Sequence, residues 1–309
     1  MDAHVTDVFV YQMGKCASTA IVEALRSAGL TAAHTHELGP DALARRVRML
    51  TTTPVTPFVL EHGIGQLVPN IRLTDEMLHR RTAGDRIRMI TVARHPIDWF
   101  WSSLIQNFDA AKHDLLDADT IVAYEDAWGR GAIDESSALH HAVVEAGVEK
   151  ITHGMALAAG AIERSTGDSL RERIAGGRRS LDEDVRHLAR FGFQIFQPPA
   201  WFGEHIEPLT GIDVFAHPLA ADGSCRLAND WCDLLVLSYE RLATLEPVIS
   251  QFVERPVRLT ACNATAGKPY AGEVAAMRRL VALPAALTDI LWDTPYCRHF
   301  AYGPGGPRN

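Results

Sequence analysis

Apolar residues follow two rhythms along this chain, and the switch between them recurs often enough to set its architecture. Residues 8–13 open with a β-branched and aromatic run, the composition of a strand buried on both faces. Gly14 permits a tight turn. From Ser18 the apolar positions Ala20, Ile21, Val22, Ala24 and Leu25 return at helical spacing, up to Gly29, which suits the position just past a helix end. Residues 30–36 then predict a second short strand, 40–50 a helix, 55–60 a further strand and 64–81 a partly helical stretch. Residues 86–93 predict another strand, closing at Arg94-His95-Pro96, and Pro96 is well placed as the first residue of a helix. Strands alternating with helices at this spacing imply an α/β fold with a central, mostly parallel sheet flanked by helices.

From residue 107 the alternation gives way. Residues 121–128, 138–161 and 181–191 carry helical spacing, broken at Gly129-Arg130-Gly131 and Gly176-Gly177. The span 108–196 thus reads as a mainly helical insertion over the sheet's carboxyl edge, where it can wall a pocket. Residues 213–231, with Asp222-Gly223 in the middle, suggest a small hairpin, and residues 239–252 return to helix. Gly303 to Gly306 read as a frayed end. There is neither internal repeat nor low-complexity linker, so residues 1–309 are expected to form a single domain.

In a parallel sheet, ligands sit beyond the carboxyl ends of the strands. Gly14-Lys15, His34 to Glu37, Glu61-His62 and Arg94 all fall at such ends. A strand turning sharply into a helix aims free N–H groups and the positive helix end at whatever lies above the turn. Lys15, Ser18 and Thr19 add a charge and two hydroxyls, which makes this first turn a P-loop-like phosphate cradle. It departs from the nucleoside-triphosphate loop, which needs Gly where this chain has Phe9 and Ser or Thr where it has Cys16. Cys16 is a poor Mg²⁺ ligand, so the loop suits an anion bound without a metal. Arg94 and Ser102, two turns into the following helix, are candidates for a second phosphate grip. The plainer alternative pairs Arg94 with Asp98 and leaves Ser102 a small surface residue. Arg178, Arg179 and Arg186 read as solvated helix charges, and His140-His141 lack a spaced third ligand for a metal.

Charge sharpens this picture. A formal −8 over 309 residues argues against nucleic acid as the main partner, so any anion site must be a local basic pocket on an acidic surface. The 47% hydrophobic content is that of a globular protein. The opening Met1-Asp2-Ala3-His4 lacks the basic-then-apolar pattern of a signal peptide, and no apolar run approaches the roughly 18 residues of a membrane span. The five cysteines form no Cys-x-x-Cys pair, which points to a reducing cytoplasm.

Lys15-x-x-Ser18-Thr19 after strand one, followed by Arg94 and Ser102 after a central strand, resembles the sulfotransferases that use 3′-phosphoadenosine 5′-phosphosulfate (PAPS). The run Leu234-Leu235-Val236-Leu237-Ser238-Tyr239-Glu240-Arg241-Leu242 resembles the family's late strand and following helix start. Arg94-His95-Pro96 resembles its Arg-Asp-Pro segment, with His95 where an acid is commoner. Trp201-Phe202-Gly203-Glu204, Gly211-Ile212-Asp213-Val214-Phe215 and Arg298-His299-Phe300 resemble a bacterial group labelled as capsular polysaccharide synthesis proteins.

The resemblance implies a metal-free enzyme moving a sulfuryl group to a hydroxyl or amine of a saccharide or small-molecule acceptor, leaving adenosine 3′,5′-bisphosphate (PAP). It assigns the 5′-phosphosulfate to Gly14, Lys15, Cys16, Ala17, Ser18, Thr19 and Ala20, and the 3′-phosphate to Arg94 and Ser102. Lys268, in a polar stretch near the C-terminus, becomes a third phosphate contact. Lys15 would neutralise the leaving group. His36 is first choice for the base, with His62, Glu37 and His34 as competitors. A P-loop phosphotransferase and a non-catalytic nucleotide-binding protein are the alternatives.

Overall fold

The structure, a computed structural model, describes residues 5–52, 64–164, 190–260, 268 and 270–307. Strand β1 (Val8–Tyr11) is buried at every position and passes through a turn into α1 (Ser18–Ser27). Gly29 beyond α1 takes a left-handed φ of 79°, as expected for a residue past a helix end. There follow β2 (Ala32–Thr35), α2 (Pro40–Thr52), α3 (Gly65–Ala83), β3 (Ile87–Ala93) and α4 (Pro96–Gln106). Pro96 occupies the first turn of α4, where its missing N–H leaves no intrahelical bond unmade.

The sheet runs in the order β2-β1-β3-β5-β4, with β4 (Ser224–Ala228) and β5 (Cys232–Ser238) closing one side. All neighbours are parallel except β4, which runs antiparallel to β5 at the edge. The fold is therefore α/β with a mostly parallel sheet, as the alternating pattern predicts. Tyr11 pairs with Thr35, Val10 with Ile90, and Ala93 with Ser238, so the ends of four strands lie side by side. From β1 the chain moves outward to β2, then crosses back over β1 to β3. That reversal opens a crevice between the carboxyl ends of β1 and β3.

Helices α5 (Phe108–Leu115), α6 (Ala118–Gly129) and α7 (Ala138–Arg164) follow α4. The first was not anticipated; the other two fall on the expected spacing. Next come α8 (Arg190–Gln194), α9 (Gln197–Trp201), a π-helical turn (Phe202–Ile206) and α10 (Glu207–Thr210). Trp201 reaches the sheet, its indole N–H donating to the Thr91 hydroxyl at 3.1 Å. After β5 come α11 (Glu246–Val253), α12 (Ala271–Leu280), α13 (Ala285–Trp292) and α14 (Pro295–His299). Helix α7 packs against α8, α12 and α13, and α12 packs against α4. Among the described residues, no helix is long and apolar enough to cross a membrane.

Three expectations need correction. The chain does turn at Asp222-Gly223, where Gly223 N–H donates to Ala220 O at 2.9 Å and Ala220 N–H to Ser224 O at 2.7 Å, but the paired strands of the hairpin, β4 and β5, both come after that turn. Asp222 accepts the N–H and hydroxyl of Ser224 and starts β4, while the turn into β5 is made by Asn229, which accepts the N–H groups of Trp231 (3.2 Å) and Cys232 (2.9 Å). Both are Asx turns, and both residue types serve equally well in sequence. Residues 239–252 are not one helix: a 3₁₀ segment, Tyr239–Thr244, precedes α11, whose first turn holds Pro247. The 303–306 stretch is not frayed. Tyr302–Gly303 (β6) pairs with Gly306–Pro307 (β7), and the Gly303 carbonyl accepts from His95 Nε2 at 3.1 Å. The strand expected at 55–60, most of the helix expected at 181–191, and Arg178, Arg179 and Arg186 lie outside the described residues.

Candidate anion-binding site

The turn after β1 holds two non-glycine residues, Lys15 and Ala17, in the left-handed region with φ of 67° and 61°. Each such residue costs on the order of 1–2 kcal/mol, so the surroundings must hold the turn in place. They do so through its carbonyls. Trp99 on α4 donates its indole N–H to Gly14 O at 2.7 Å, Arg94 donates to Lys15 O, and Gln12 donates its amide to Cys16 O at 2.8 Å. Three successive carbonyls are thereby committed to side chains from inside the protein. Helix α1 then opens at Ala17, which has no side-chain cap, and its first turn contains no acidic residue. The positive end of the helix thus meets neither a side-chain cap nor an acidic residue of its own first turn, an arrangement that favours an anion. Ser18 and Thr19, both half-buried, lie in that turn, and Ala20 follows them.

Cys16 sits inside the turn, fully buried, with its thiol aimed at Gly14 O and pushed up in pKa by burial. It offers no metal ligand. Lys15 is half-buried, and burial, with the neighbouring cations Lys268 and Arg94, pulls its ammonium down to about 8.

Arg94 follows β3 and lies in the crevice beside this turn. Its guanidinium rests 4.1 Å above the Tyr239 ring, and its Nε is buried without a hydrogen-bond partner. The plain pairing with Asp98 is not what forms. Asp98 is held by His95 at 3.3 Å and by Arg278, and the His95 contact first, then the Arg278 charge, keeps its carboxyl down at about 2. Half-buried Ser102 lies on α4 one turn before Gln106, on the same face. Gln106 accepts from Lys268, so Lys268 comes down on the end of that face. Lys15, Arg94 and Lys268 thus meet around one crevice.

Beyond β2, His36 donates from Nδ1 to Gln12 O at 2.6 Å, which leaves Nε2 as the acceptor nitrogen of a neutral ring. That nitrogen lies 3.8 Å from where a Cβ on Gly14 would stand, against the turn. His36 as a whole is exposed. Desolvation by the protein packed around the ring, then the neighbouring His34 ring and the charges of Lys15 and Arg46, lower its pKa to about 4. His34 is exposed, its ring 5.8 Å from that of His36. Glu37 is less available: Arg46 holds one oxygen at 3.1 Å and Asn70 the other at 3.2 Å. His62 lies outside the described residues. His140 pairs with buried Glu273 at 2.8 Å, an internal contact.

The residues that hold the site were harder to find than those that fill it. Gln12 carried a signal, being a polar residue in an apolar run, and it is fully buried. Trp99 reads only as part of the apolar face of α4. A groove of about 430 Å³ between β4 and α11 lies at the far edge of the sheet and includes none of these residues. Comparison of the chain with protein-family models, with curated proteins and with solved structures returns no match.

Proposed function

We propose that the chain is a sulfotransferase. It takes a sulfuryl group from PAPS and passes it to a hydroxyl or amine of a saccharide or small-molecule acceptor, leaving PAP. The observation that carries this reading is the direct hydrogen bond from Arg94 to Lys15 O, which brings together at the crevice between β1 and β3 the two residues this reading assigns to the two phosphates. A nucleotide phosphorylated at both ends of its ribose fits such a pair. The start of α1 has no side-chain cap, and the buried Nε of Arg94 has no hydrogen-bond partner, so neither has its donors fully committed within the protein.

In this reading the N–H groups of residues 16–20 and Lys15 hold the 5′ end, and Arg94, Ser102 and Lys268 hold the 3′-phosphate. Bound there, the donor supplies an activated sulfuryl group on a phosphate leaving group. By analogy with phosphoryl transfer, charge builds on the bridging oxygen as the S–O bond breaks. Lys15 is the cation placed to neutralise that oxygen. His36 takes the proton of the acceptor hydroxyl on Nε2 as the new S–O bond forms, a contribution of ~10²–10⁴ in rate. A base of pKa about 4 is already neutral at physiological pH.

The phosphotransferase alternative would place Mg²⁺ beside the residue after Lys15. That residue is the buried, protonated Cys16. Titration calorimetry with PAP and with ATP plus Mg²⁺ separates the two. Tight PAP binding with weak ATP binding is expected, and the reverse order would overturn the proposal. Mass spectrometry of saccharide and small-molecule acceptors, incubated with PAPS and the protein, should then show a gain of one sulfuryl group. Binding of PAP with no such gain in any acceptor would leave a nucleotide-binding protein in place of the enzyme.

A further inference from the structure

Given the donor proposed above, we infer that the C-terminal part of the chain belongs to the nucleotide site, with Tyr296 and Tyr239 as positioning residues that set Arg94 for the 3′-phosphate. Arg94 stands where the chain leaves β3, and both polar groups of its backbone are taken by one side chain. The Tyr296 hydroxyl accepts from Arg94 N–H at 2.8 Å and donates to Arg94 C=O at 2.8 Å. Tyr296 is fully buried and its hydroxyl is used up by these two bonds, so it acts through Arg94 and not on a ligand.

The next residue is fixed from the same side. His95 N–H donates to Glu240 at 2.7 Å, and Glu240 also accepts from Ser238 (2.9 Å) and from the Tyr302 hydroxyl (2.8 Å). The His95 ring is tied to Gly303 O at 3.1 Å. Finally the guanidinium lies on Tyr239, whose ring limits it to one plane. Backbone and head group of Arg94 are therefore set by groups from the end of β5 and from residues 296–303. A long arginine left loose would surrender its rotamer freedom on binding; this one has largely done so beforehand.

Calorimetric titration of the full chain with PAP and with adenosine 5′-monophosphate tests the inference, because only PAP carries the 3′-phosphate. Tyr296→Phe removes the hydroxyl and keeps the ring. It should lower PAP affinity roughly tenfold, the size of one or two lost hydrogen bonds, and leave the monophosphate within about twofold. Tyr239→Leu, at a half-buried position, should show the same selective loss and serves if Tyr296→Phe does not fold. Wild-type preference for PAP retained in both variants would overturn the positioning role. Equal losses on the two nucleotides would overturn it as well, since a merely structural defect behaves that way. If the wild type fails to prefer PAP, the donor reading itself falls, and this inference with it.

Discussion

Lys15 is held in an arrangement that disfavours it, in a left-handed backbone and among other cations with its pKa near 8. A lysine with a depressed folded pKa destabilises the protein wherever the unfolded chain would keep it charged. That burden is full below about pH 8 and fades as pH rises toward 10.5. Lys15→Met should therefore abolish turnover while stabilising the fold at pH 7 by about 1 kcal/mol, after allowance for solvent screening, as denaturant midpoints would report. The same two groups set the pH profile. In the proposed reaction His36 acts neutral and Lys15 charged, so kcat/KM should be bell-shaped, with limbs near 4 and 8. In kcat the alkaline limb should move upward, because a bound anion restores the lysine's charge. His36→Ala should cut kcat by ~10²–10⁴, with little change in PAP affinity. Arg94→Ala should weaken PAP and spare adenosine 5′-monophosphate, a split that calorimetry reads directly. Lys15, Arg94 and His36 were legible in the sequence because strand ends beside turns are few and their chemistry is distinctive. Trp99 and Tyr296 were not, since an aromatic on a helix reads first as core, and only coordinates show which carbonyl its polar atom reaches.

At the scale of elements, the loop is as much a product of α4 as of β1. Trp99→Phe keeps the packing of α4 and removes the bond to Gly14 O. It should cost about 1 kcal/mol of stability and weaken PAP binding, because the freed carbonyl lets the N–H groups re-aim. A second test concerns α7 and α8. A Cβ on Gly192 would meet Ala158 Cβ at 2.4 Å and Gly154 O at 3.0 Å, so these helices cross almost backbone to backbone. Gly192→Ala should destabilise by ~1–3 kcal/mol, visible as a shifted midpoint in chemical denaturation. The strands and most helices could be read from periodicity because each has one rhythm over enough residues. Turns could not be placed as well. Asp222 and Asn229 both stand in turns, and only the pairing of β4 with β5 shows which of the two joins paired strands. The two-residue β6 is too short to have any rhythm, and the group that holds its Gly303 carbonyl, His95, is far away in sequence.

At the scale of the molecule, a chain of net charge −8 gathers Lys15, Arg94 and Lys268 at one crevice, and the strand order explains how. Reversing direction between β1 and β3 brings the ends of two strands together with no connection passing over them. The acidic remainder of the surface then favours a focused field over a spread one. Arg94 and the tyrosine that brackets its backbone are 202 residues apart. On a ribosome adding ~5–20 residues per second, the phosphate turn and its arginine emerge roughly 10–40 s before that tyrosine is even made. A nascent chain early in that interval carries Lys15 and Arg94 but neither Lys268 nor the tyrosine that keeps the arginine still. If the crevice takes the proposed nucleotide, its retention is thus a late acquisition, granted only when synthesis has nearly run its course.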